Sequence, residues 1–468
     1  MFRSNLSHSV SVPAMAAVLV FSMVRPAAVV ADELPNVILC MADDLGWGDT
    51  GYNGNEIVKT PHLDQMARQG VTFNRWYAGA PVCSPTRGNC LTGRHNLRLG
   101  IPTANKGHLL PEEQTLAERL KAKGYATGHF GKWHLGTVTT AMRDSNRGKP
   151  GDASHFAPPW QNGFDVCFST EAKVPTYDPM KKPKKTKKQH YGWKPVGDGD
   201  DFAEYGTHYF DHTGKLITDN LEGDDSRVIM DRAIPFVRNA AAEKKPFFIV
   251  VWFHAPHLPV VAGPKHSAMY ADLSWEEQMY YGCITALDEQ VGRLRDELKE
   301  LGVADNTMMW FSSDNGPENK TPGTAGKLRA RKRSLYEGGI RVPGLLTWPA
   351  KFKTPQTIEA PCHTGDYYPT VLSALGEDYS EQLLDGIDLM PILSGSRSTR
   401  GQLIHFQFGK QAATIGDYYK LYRSKDSEAW ELYDLSEDAS ESKNVVGDFP
   451  KVANLMTKSF EAWASSLP

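Results

Sequence analysis

The sequence is sparing with cysteine, with net charge and with long apolar runs, and each shortage excludes something. Six cysteines occur in 468 residues, at 40, 83, 90, 167, 283 and 362. None forms a CxxC pair, so neither a zinc knuckle nor a dense disulfide scaffold is available. Cys40 lies inside an apolar run and Cys283 near a helical pattern, which reads as two buried small hydrophobes. With Cys83 set aside, five remain, so at least one is unpaired within a monomer. The 52 Lys and Arg nearly balance the 55 Asp and Glu, for a net charge of −3; no general attraction to nucleic acid or to a membrane surface follows. No internal repeat is visible. The longest apolar stretch, "VPAMAAVLVFSMV", begins at residue 12 and falls short of the ~20 residues that span a bilayer. Arg3 and His8 precede it, and Val29 and Ala31 follow as small residues. That pattern is a secretory signal over residues 1–31 rather than an anchor, so an exported protein without stable membrane insertion is expected.

What is present is an alternation of strand and helix signals. "PNVILCMADD", "YATGHF", "KPFFIVVWF", "TMMWFSSDNG" and "VPGLLTW" read as strands, most of them apolar enough for burial on both faces. "TPHLDQMARQG" carries Pro61 near its start, Leu63, Met66 and Ala67 on one face and Gly70 at its stop. "PEEQTLAERLKAKG" is a second helix, and "ITALDEQVGRLRDELKELG" places Leu287, Val291, Leu294, Leu298 and Leu301 on one face of a third. Strands alternating with helices imply a doubly wound α/β sheet, and ligands of such sheets collect beyond the carboxyl ends of the strands. Residues 137–220, rich in Gly, Pro, Lys, Asp and His, read as a long surface excursion. Within it "KKPKKTKK" (181–188) reads as a solvated charge run in preference to a polyanion site. "PILSGSRSTRGQ" marks a boundary. The expected organisation is a leader (1–31), an α/β domain (32–394) and a small C-terminal domain (395–468) of antiparallel strands with one closing helix.

The polar residues stand where that fold puts ligands. Asp43 and Asp44 follow one strand, His134 another, His257 a third, Asp314 and Asn315 a fourth. An oxygen-only set suits a hard cation such as calcium, and no Cys–His cluster competes for a softer metal. Each pair alone also fits a cap or a turn; two pairs, each directly after a core strand, favour metal. In "CSPTRGNCLTGR" Ser84 can cap a helix, Pro85 suits its first position and Gly93 its stop, so Cys83 sits at a helix N-terminus that favours an anion. A plain catalytic cysteine is one reading of it. Arg87, Lys132, His134, His257 and Lys332 would add cationic groups facing a divalent metal, a pocket for a small oxyanion such as sulfate or phosphate.

The chain resembles the type I, formylglycine-dependent sulfatases of the arylsulfatase family. "CSPTRGNCLTGR" matches that family's Cys-x-Pro-x-Arg signature with its trailing Thr-Gly-Arg, with Thr86 where many relatives carry serine. "DDLGWGD", "GKWHLG", "PHLP", "DNG" and "EGGIRVP" match its other blocks in order, and "ELYDLSEDASESKNV" its C-terminal segment. The resemblance implies an alkaline-phosphatase-like sandwich and a sulfuric ester hydrolase. It implies that a formylglycine-generating enzyme, recognising Pro85 and Arg87, oxidises Cys83 to formylglycine. Ca2+ is then held by Asp43, Asp44, residue 83, Asp314 and Asn315. Lys132 and Lys332 bind sulfate, Arg87 orients the hydrated aldehyde, His257 or Lys332 protonates the leaving alcohol, and His134 takes the proton that expels sulfate. The implied substrate is a sulfated small molecule or saccharide. Trp160, Tyr191, Trp193 and Tyr209 are candidates for stacking a sugar if they are not core, and His254 is a candidate substrate contact. Two alternatives stay open: hydrolysis of phosphate esters or phosphonates by a related site, and an inactive binder of sulfated glycans.

Overall fold

Asn36–Ala42 is buried at every position, the mark of a strand covered on both faces. The computed structural model describes residues 1–6, 8–10, 34–186, 192–197 and 199–468. Most of the expected leader lies outside these residues, as do Lys187, Lys188 and Tyr191. Residues 1–33 form a unit of their own, and the fold described here is that of Leu34–Pro468.

Nine strands make the central sheet: β1 (Asn36–Ala42), β2 (Val71–Phe73), β3 (Ala126–Lys132), β4 (Val166–Thr170), β5 (Phe210–Asp211), β6 (Phe247–Trp252), β7 (Thr307–Ser313), β8 (Gly344–Thr347) and β9 (Gln356–Ile358). Their spatial order is β9-β2-β8-β7-β1-β6-β3-β4-β5. The run β7-β1-β6-β3-β4 is parallel throughout, while β8 and β5 flank it antiparallel. Alternate side chains feed two cores. Val37, Leu39, Met41, Phe248, Val250, Trp252, Met308 and Trp310 enter one; Ile38, Cys40, Ala42, Phe247, Ile249, Val251, Met309 and Phe311 enter the other. This period-2 division accounts for the continuous apolar runs.

Helices cover both faces. Helix α1 (Pro61–Gln69), α4 (Asp225–Ala242) and α5 (Trp275–Glu300) pack on the second core through Leu63, Met66, Val228, Ile229, Ile284, Leu287 and Leu294. Helix α2 (Cys83–Thr92), α3 (Leu116–Ala122) and α6 (Tyr367–Ala374) pack on the first through Cys90, Leu91, Leu116, Leu120, Tyr368 and Val371. The mixed α/β architecture therefore follows the expectation. Two elements were hidden by their composition. The strand β4 lies inside the segment read as surface excursion, yet pairs with β3 in the sheet interior. Helix α4 carries Pro235 within it and is held by burial of one face and an Asp224 cap on the Arg227 amide at 3.2 Å.

The C-terminal part adds a four-stranded antiparallel sheet, β10 (Ile404–Phe408), β11 (Gln411–Ile415), β12 (Tyr419–Arg423) and β13 (Glu431–Asp434), and helix α7 (Pro450–Ser465). Strand β11, "QAATI", lacks the large residues that announce a strand and went unforeseen. Its Ala413 and Ile415 join Tyr77, Leu335 and Ile340 in a shared core. Two buried ion pairs tie the sheet region to the rest, Lys420 to Glu337 (3.0 Å) and Arg400 to Asp366 through two bonds of 2.6 and 2.9 Å, and Lys420 makes a third, with Glu441 (2.8 Å), inside that region. Removing one member of such a pair strands a charge, at a cost of about 3–5 kcal/mol, whereas apolar replacement of both can be near neutral. Arg400→Met is accordingly expected to lower the unfolding free energy by about that amount, and Arg400→Met with Asp366→Leu to recover much of it. Equilibrium urea unfolding checks both.

A cavity of about 400 Å³ lies between α7, β10 and the main body, lined by His95, His363, His405, Arg98, Asp385 and Trp463. Burial drives His95 down to about 3, and His363 and His405 to about 4, although Asp385 and Asp366 pull the other way. The three imidazoles are neutral in the fold and protonate near pH 6.5 in the unfolded chain. Their contribution is complete above that pH and is lost as pH falls toward 4. Melting temperature is expected to fall steeply between pH 6.5 and 4, and the His405→Gln variant to show a shallower fall over the same interval.

Candidate active site

The parallel strands discharge their polar termini at one edge. Asp43 and Asp44 leave β1, Lys132 ends β3, His257 follows β6, and Asp314 and Asn315 leave β7. The backbone is bent to aim them: Asp44 and His134 sit in left-handed conformations at φ 68° and 58°, a cost concentrated at functional sites. The turn after β7 needs Gly316, because a Cβ there would stand 2.0 Å from the Gly338 carbonyl oxygen.

Helix α2 starts at Cys83 itself, with Val82 at the cap position and no side-chain cap bond. Ser84 is not the cap; its hydroxyl is buried without a partner, and Pro85 stands at the third helical position rather than the first. Gly93 ends the helix in the left-handed conformation, as expected. The Cys83 Sγ lies 3.5 Å from Asp43 Oδ1 and 3.7 Å from Lys332 Nζ. One turn on, the buried Arg87 guanidinium bonds Asp314 Oδ2 at 2.6 Å, stands 3.4 Å from Asp43 Oδ2 and donates to the Lys132 carbonyl at 3.0 Å.

These contacts close the acidic groups into one cluster. Asp314 Oδ1 accepts from the Asp44 amide at 3.2 Å, across 270 residues of chain. Asn315 Nδ2 donates to Asp44 Oδ1 at 2.7 Å. Lys132 Nζ pairs with Asp43 Oδ2 at 2.5 Å, and Lys332 Nζ pairs with Asp44 Oδ1. His257 Nε2 lies 3.6 Å from Asp44 Oδ2, while its Nδ1 donates to the Leu258 carbonyl at 2.7 Å. His134 lines the same pocket, with Nε2 3.0 Å from Asn105 Oδ1. The ten residues expected to bind metal or take part in the chemistry thus meet at one place.

Electrostatics there are set by burial against charge. Burial alone would raise Asp43, but Lys132, His257, Arg87 and Lys332 hold it well below the usual carboxylate range. Asp314 goes the other way, to about 7, through burial and the nearby Asp43 charge. Burial keeps His257 and His134 neutral, helped at His134 by Lys132 and Arg87. Lys332 stays cationic despite burial because Asp44, Cys83 and Asp43 surround it.

Among the described residues, Asp43, Asp44, Cys83 and His257 each offer a ligand atom within 4.8 Å of the others, a group that could hold a metal ion; it includes a thiol and an imidazole, contrary to the expectation that no Cys–His pair stands beside the carboxylates. Among the described residues, Asp44 Oδ2 and the Asn315 side-chain oxygen are buried with no hydrogen-bond partner, an arrangement that costs about 1–3 kcal/mol per group unless something satisfies it. A cation among these oxygens would satisfy both and relieve the repulsion between Asp314 and Asp43.

Around this centre is a pocket of about 340 Å³. Its wall includes groups that the sequence did not announce: Asn105, Lys173, Glu318, Arg333 and, from the C-terminal sheet, Phe408. Arg333 and Glu318 form two bonds, of 2.7 and 2.9 Å. Arg333 adjoins Lys332 and Glu318 follows "DNG" closely, so proximity to motifs was a usable signal for them; for Phe408 none existed. Of the aromatic candidates, Tyr191 lies outside the described residues and the other three do not line the pocket. Tyr209 is buried and donates to Asp225 Oδ1 at 2.6 Å, Trp160 packs against the core, and the Trp193 carbonyl accepts from Trp275. His254 is likewise not a substrate contact: fully buried, it bridges Asp225 Oδ2 (2.8 Å) and Thr170 Oγ1 (2.8 Å) and so braces the end of β4.

A buried, oxygen-rich cluster with cations above it at the edge of a doubly wound sheet defines a hydrolase of small anionic esters. The comparisons then identify which: residues 35–377 match the sulfatase family model, and residues 330–464 match the model described as N-sulphoglucosamine sulphohydrolase, C-terminal. The chain belongs to the sulfatase family. It is 31% identical to N-acetylgalactosamine-6-sulfatase of Sus scrofa over 438 residues, covering 89% of this chain and 77% of that protein. It is 31% identical to steryl-sulfatase of Mus musculus over 446 residues, covering 80% of this chain and 68% of that protein. The crystal structure of Ps i-CgsB in complex with k-i-k-neocarrahexaose superposes with a TM-score of 0.80 at 28% identity, covering 93% of this chain and 94% of that one.

As a free thiol, Cys83 makes a poor nucleophile: burial, then Asp314 and Asp43, push it up to about 12. In protein carrying unmodified Cys83, native incubation with iodoacetamide at pH 8 is expected to leave that residue unlabelled, and denaturation to expose it. Rapid native labelling of Cys83, read by peptide mass, would contradict the buried geometry.

Proposed function

We propose that this sulfuric ester hydrolase works through formylglycine made from Cys83 by a sulfatase-maturing enzyme and through Ca2+ held by Asp43, Asp44, Asp314, Asn315 and residue 83. We propose further that its substrate is a sulfated carbohydrate acted on at a chain end by an exported enzyme. The observation that carries the chemistry is the meeting of residue 83 with three carboxylates, two of them bonded to lysines, in one water-poor pocket. The modified residue supplies a hydrated aldehyde, and the cation supplies charge neutralisation and activation of its hydroxyl.

The chain's own residues do the rest. Lys132 and Lys332, fixed over Asp43 and Asp44, present ammonium groups to the non-bridging oxygens of a sulfate ester and stabilise charge as it moves onto them. Arg87 sits beneath, bound to Asp314 and Asp43, and orients residue 83 from the buried side. Lys332, cationic despite burial, delivers a proton to the leaving oxygen; His257, whose one ring proton is held on Nδ1 by the Leu258 carbonyl, turns a bare Nε2 to the pocket and shares that delivery only once Nε2 has taken up a proton. His134, neutral and held by Asn105, receives the proton from residue 83 when sulfate departs. A saccharide is supported by the confined pocket, which Phe408 and Leu258 help to line, and by the hexaose-bound relative. Lys132 and His134 in "GKWHLG" support sulfate over phosphate as the group bound.

Three measurements test this. Mass analysis of the peptide bearing residue 83, in enzyme from a host with a maturation system, is expected to show the aldehyde, and Cys83→Ala to lose activity at least about a thousandfold. Calcium is expected to raise the melting temperature of the wild type, and Asp43→Asn or Asp314→Asn to abolish that rise. Nitrophenyl sulfate is expected to turn over faster than nitrophenyl phosphate; the reverse order would overturn the assignment of sulfate.

A further inference from the structure

The pocket wall holds four cations, Lys132, Lys173, Lys332 and Arg333. Three are matched: Lys132 by Asp43, Lys332 by Asp44, and Arg333 by Glu318. Lys173 is not. Among the described residues it forms no hydrogen bond and no ion pair; the charges that act on it are Lys132 and Lys332, which repel it, and Asp44 and Asp43, whose weaker attraction comes from carboxylates already paired with those lysines. Burial, then those two lysines, lower its proton affinity. An unmatched ammonium half-withdrawn from water is costly.

The chain nonetheless fixes it there. Lys173 follows β4, between the buried Ala172 and Val174. The Glu171 carbonyl accepts the His134 amide at 2.8 Å, the Ala172 carbonyl accepts from Thr170 Oγ1 at 2.7 Å, and Thr170 is in turn held by His254 and Asp225. Arg147 Nε bonds the Glu171 carboxylate at 2.9 Å. With its neighbours buried and its backbone braced on the turn that carries His134 beyond the end of β3, the side chain is directed to the pocket it lines. A sulfate monoester carries one negative charge, and its non-bridging oxygens are already provided for by Lys132, Lys332 and the cation site. Lys173 is therefore surplus to the scissile group.

Resting on the reading of this pocket as the sulfate-ester site, we infer that Lys173 selects substrates bearing a second anionic group, a sulfate or a carboxylate, close to the sulfate that is removed. The unpaired ammonium gains its counter-charge only when such a substrate arrives, which makes it a specificity determinant and not part of the bond-breaking machinery.

The test uses mature enzyme and three saccharides of one size: monosulfated, disulfated, and monosulfated with a uronate. Wild type is expected to prefer at least one doubly charged substrate by about tenfold or more in kcat/KM, with the preference growing at low salt. In Lys173→Gln the ratio of doubly to singly charged kcat/KM is expected to fall about tenfold, chiefly through KM, and in Lys173→Arg to be largely kept. The two doubly charged arms distinguish sulfate from carboxylate. Equal wild-type rates on all three, or a Lys173→Gln loss shared equally by singly and doubly charged substrates, would overturn the inference; the second outcome would place Lys173 on the scissile sulfate. Should no sulfate ester turn over at all, the proposed function fails instead. Titration calorimetry of the same saccharides against wild type and Lys173→Gln still decides the role of Lys173, since loss of the doubly charged preference in binding needs no catalysis.

Discussion

Everything at the active centre depends on keeping three carboxylates together out of water. Asp43, Asp44 and Asp314 repel one another, and burial penalises each further. Arg87, Lys132 and Lys332 answer that cost, each arriving from a different part of the chain: a helix, the end of a strand and a loop. The residual imbalance is visible as two orphaned oxygens and a strongly raised Asp314. A site left in that condition is prepared for a cation and for an anionic substrate, and a neutral ligand would satisfy neither requirement.

The sheet makes this assembly possible because parallel strands end on the same side. Residues near 43, 132, 257 and 314 need no local sequence relation to meet; they need only adjacent strands in the order β7-β1-β6-β3. The C-terminal sheet is part of the same device. Lys420 holds Glu337 in a buried pair, Glu337 opens the short helix Glu337–Ile340 whose Gly338 carbonyl occupies the space a Cβ on Gly316 would need, and Gly316 follows Asn315 directly. Phe408, on the first strand of that sheet, completes the pocket wall. Stability of the junction and shape of the pocket are thus coupled through contacts that touch no substrate.

Residues whose chemistry announces itself were readable before any fold was known. The Asp43–Asp44 and Asp314–Asn315 pairs, each after an apolar run, fall in the cluster, as do Cys83 and Arg87 of "CSPTR", Lys132 and His134 of "GKWHLG" and His257 of "PHLP". Less was legible where composition and position disagree. Strand β4 is short and polar enough to pass for loop, α4 contains a proline, and β11 has small side chains, so pairing and burial rather than propensity decide them. Histidine was ambiguous for the same reason: His254 and His257 lie in one motif, yet one is locked between Asp225 and Thr170 and the other opens to the pocket. Aromatic residues were least informative, because Tyr209 and Trp160 satisfy a core while Phe408 serves the site.

By itself the sequence determined the alternation of strand and helix, through the period of its apolar residues, and the kind of chemistry, through the types of polar residue placed at strand ends. Only the tertiary structure decided which charges are matched and which are not. A side chain's partners lie across hundreds of residues, as with Asp44 and Asp314, and pairing depends on ångström distances that no linear spacing encodes. The unmatched ammonium of Lys173 is of that second kind: an ordinary lysine in the sequence, distinguished only by what the fold puts around it.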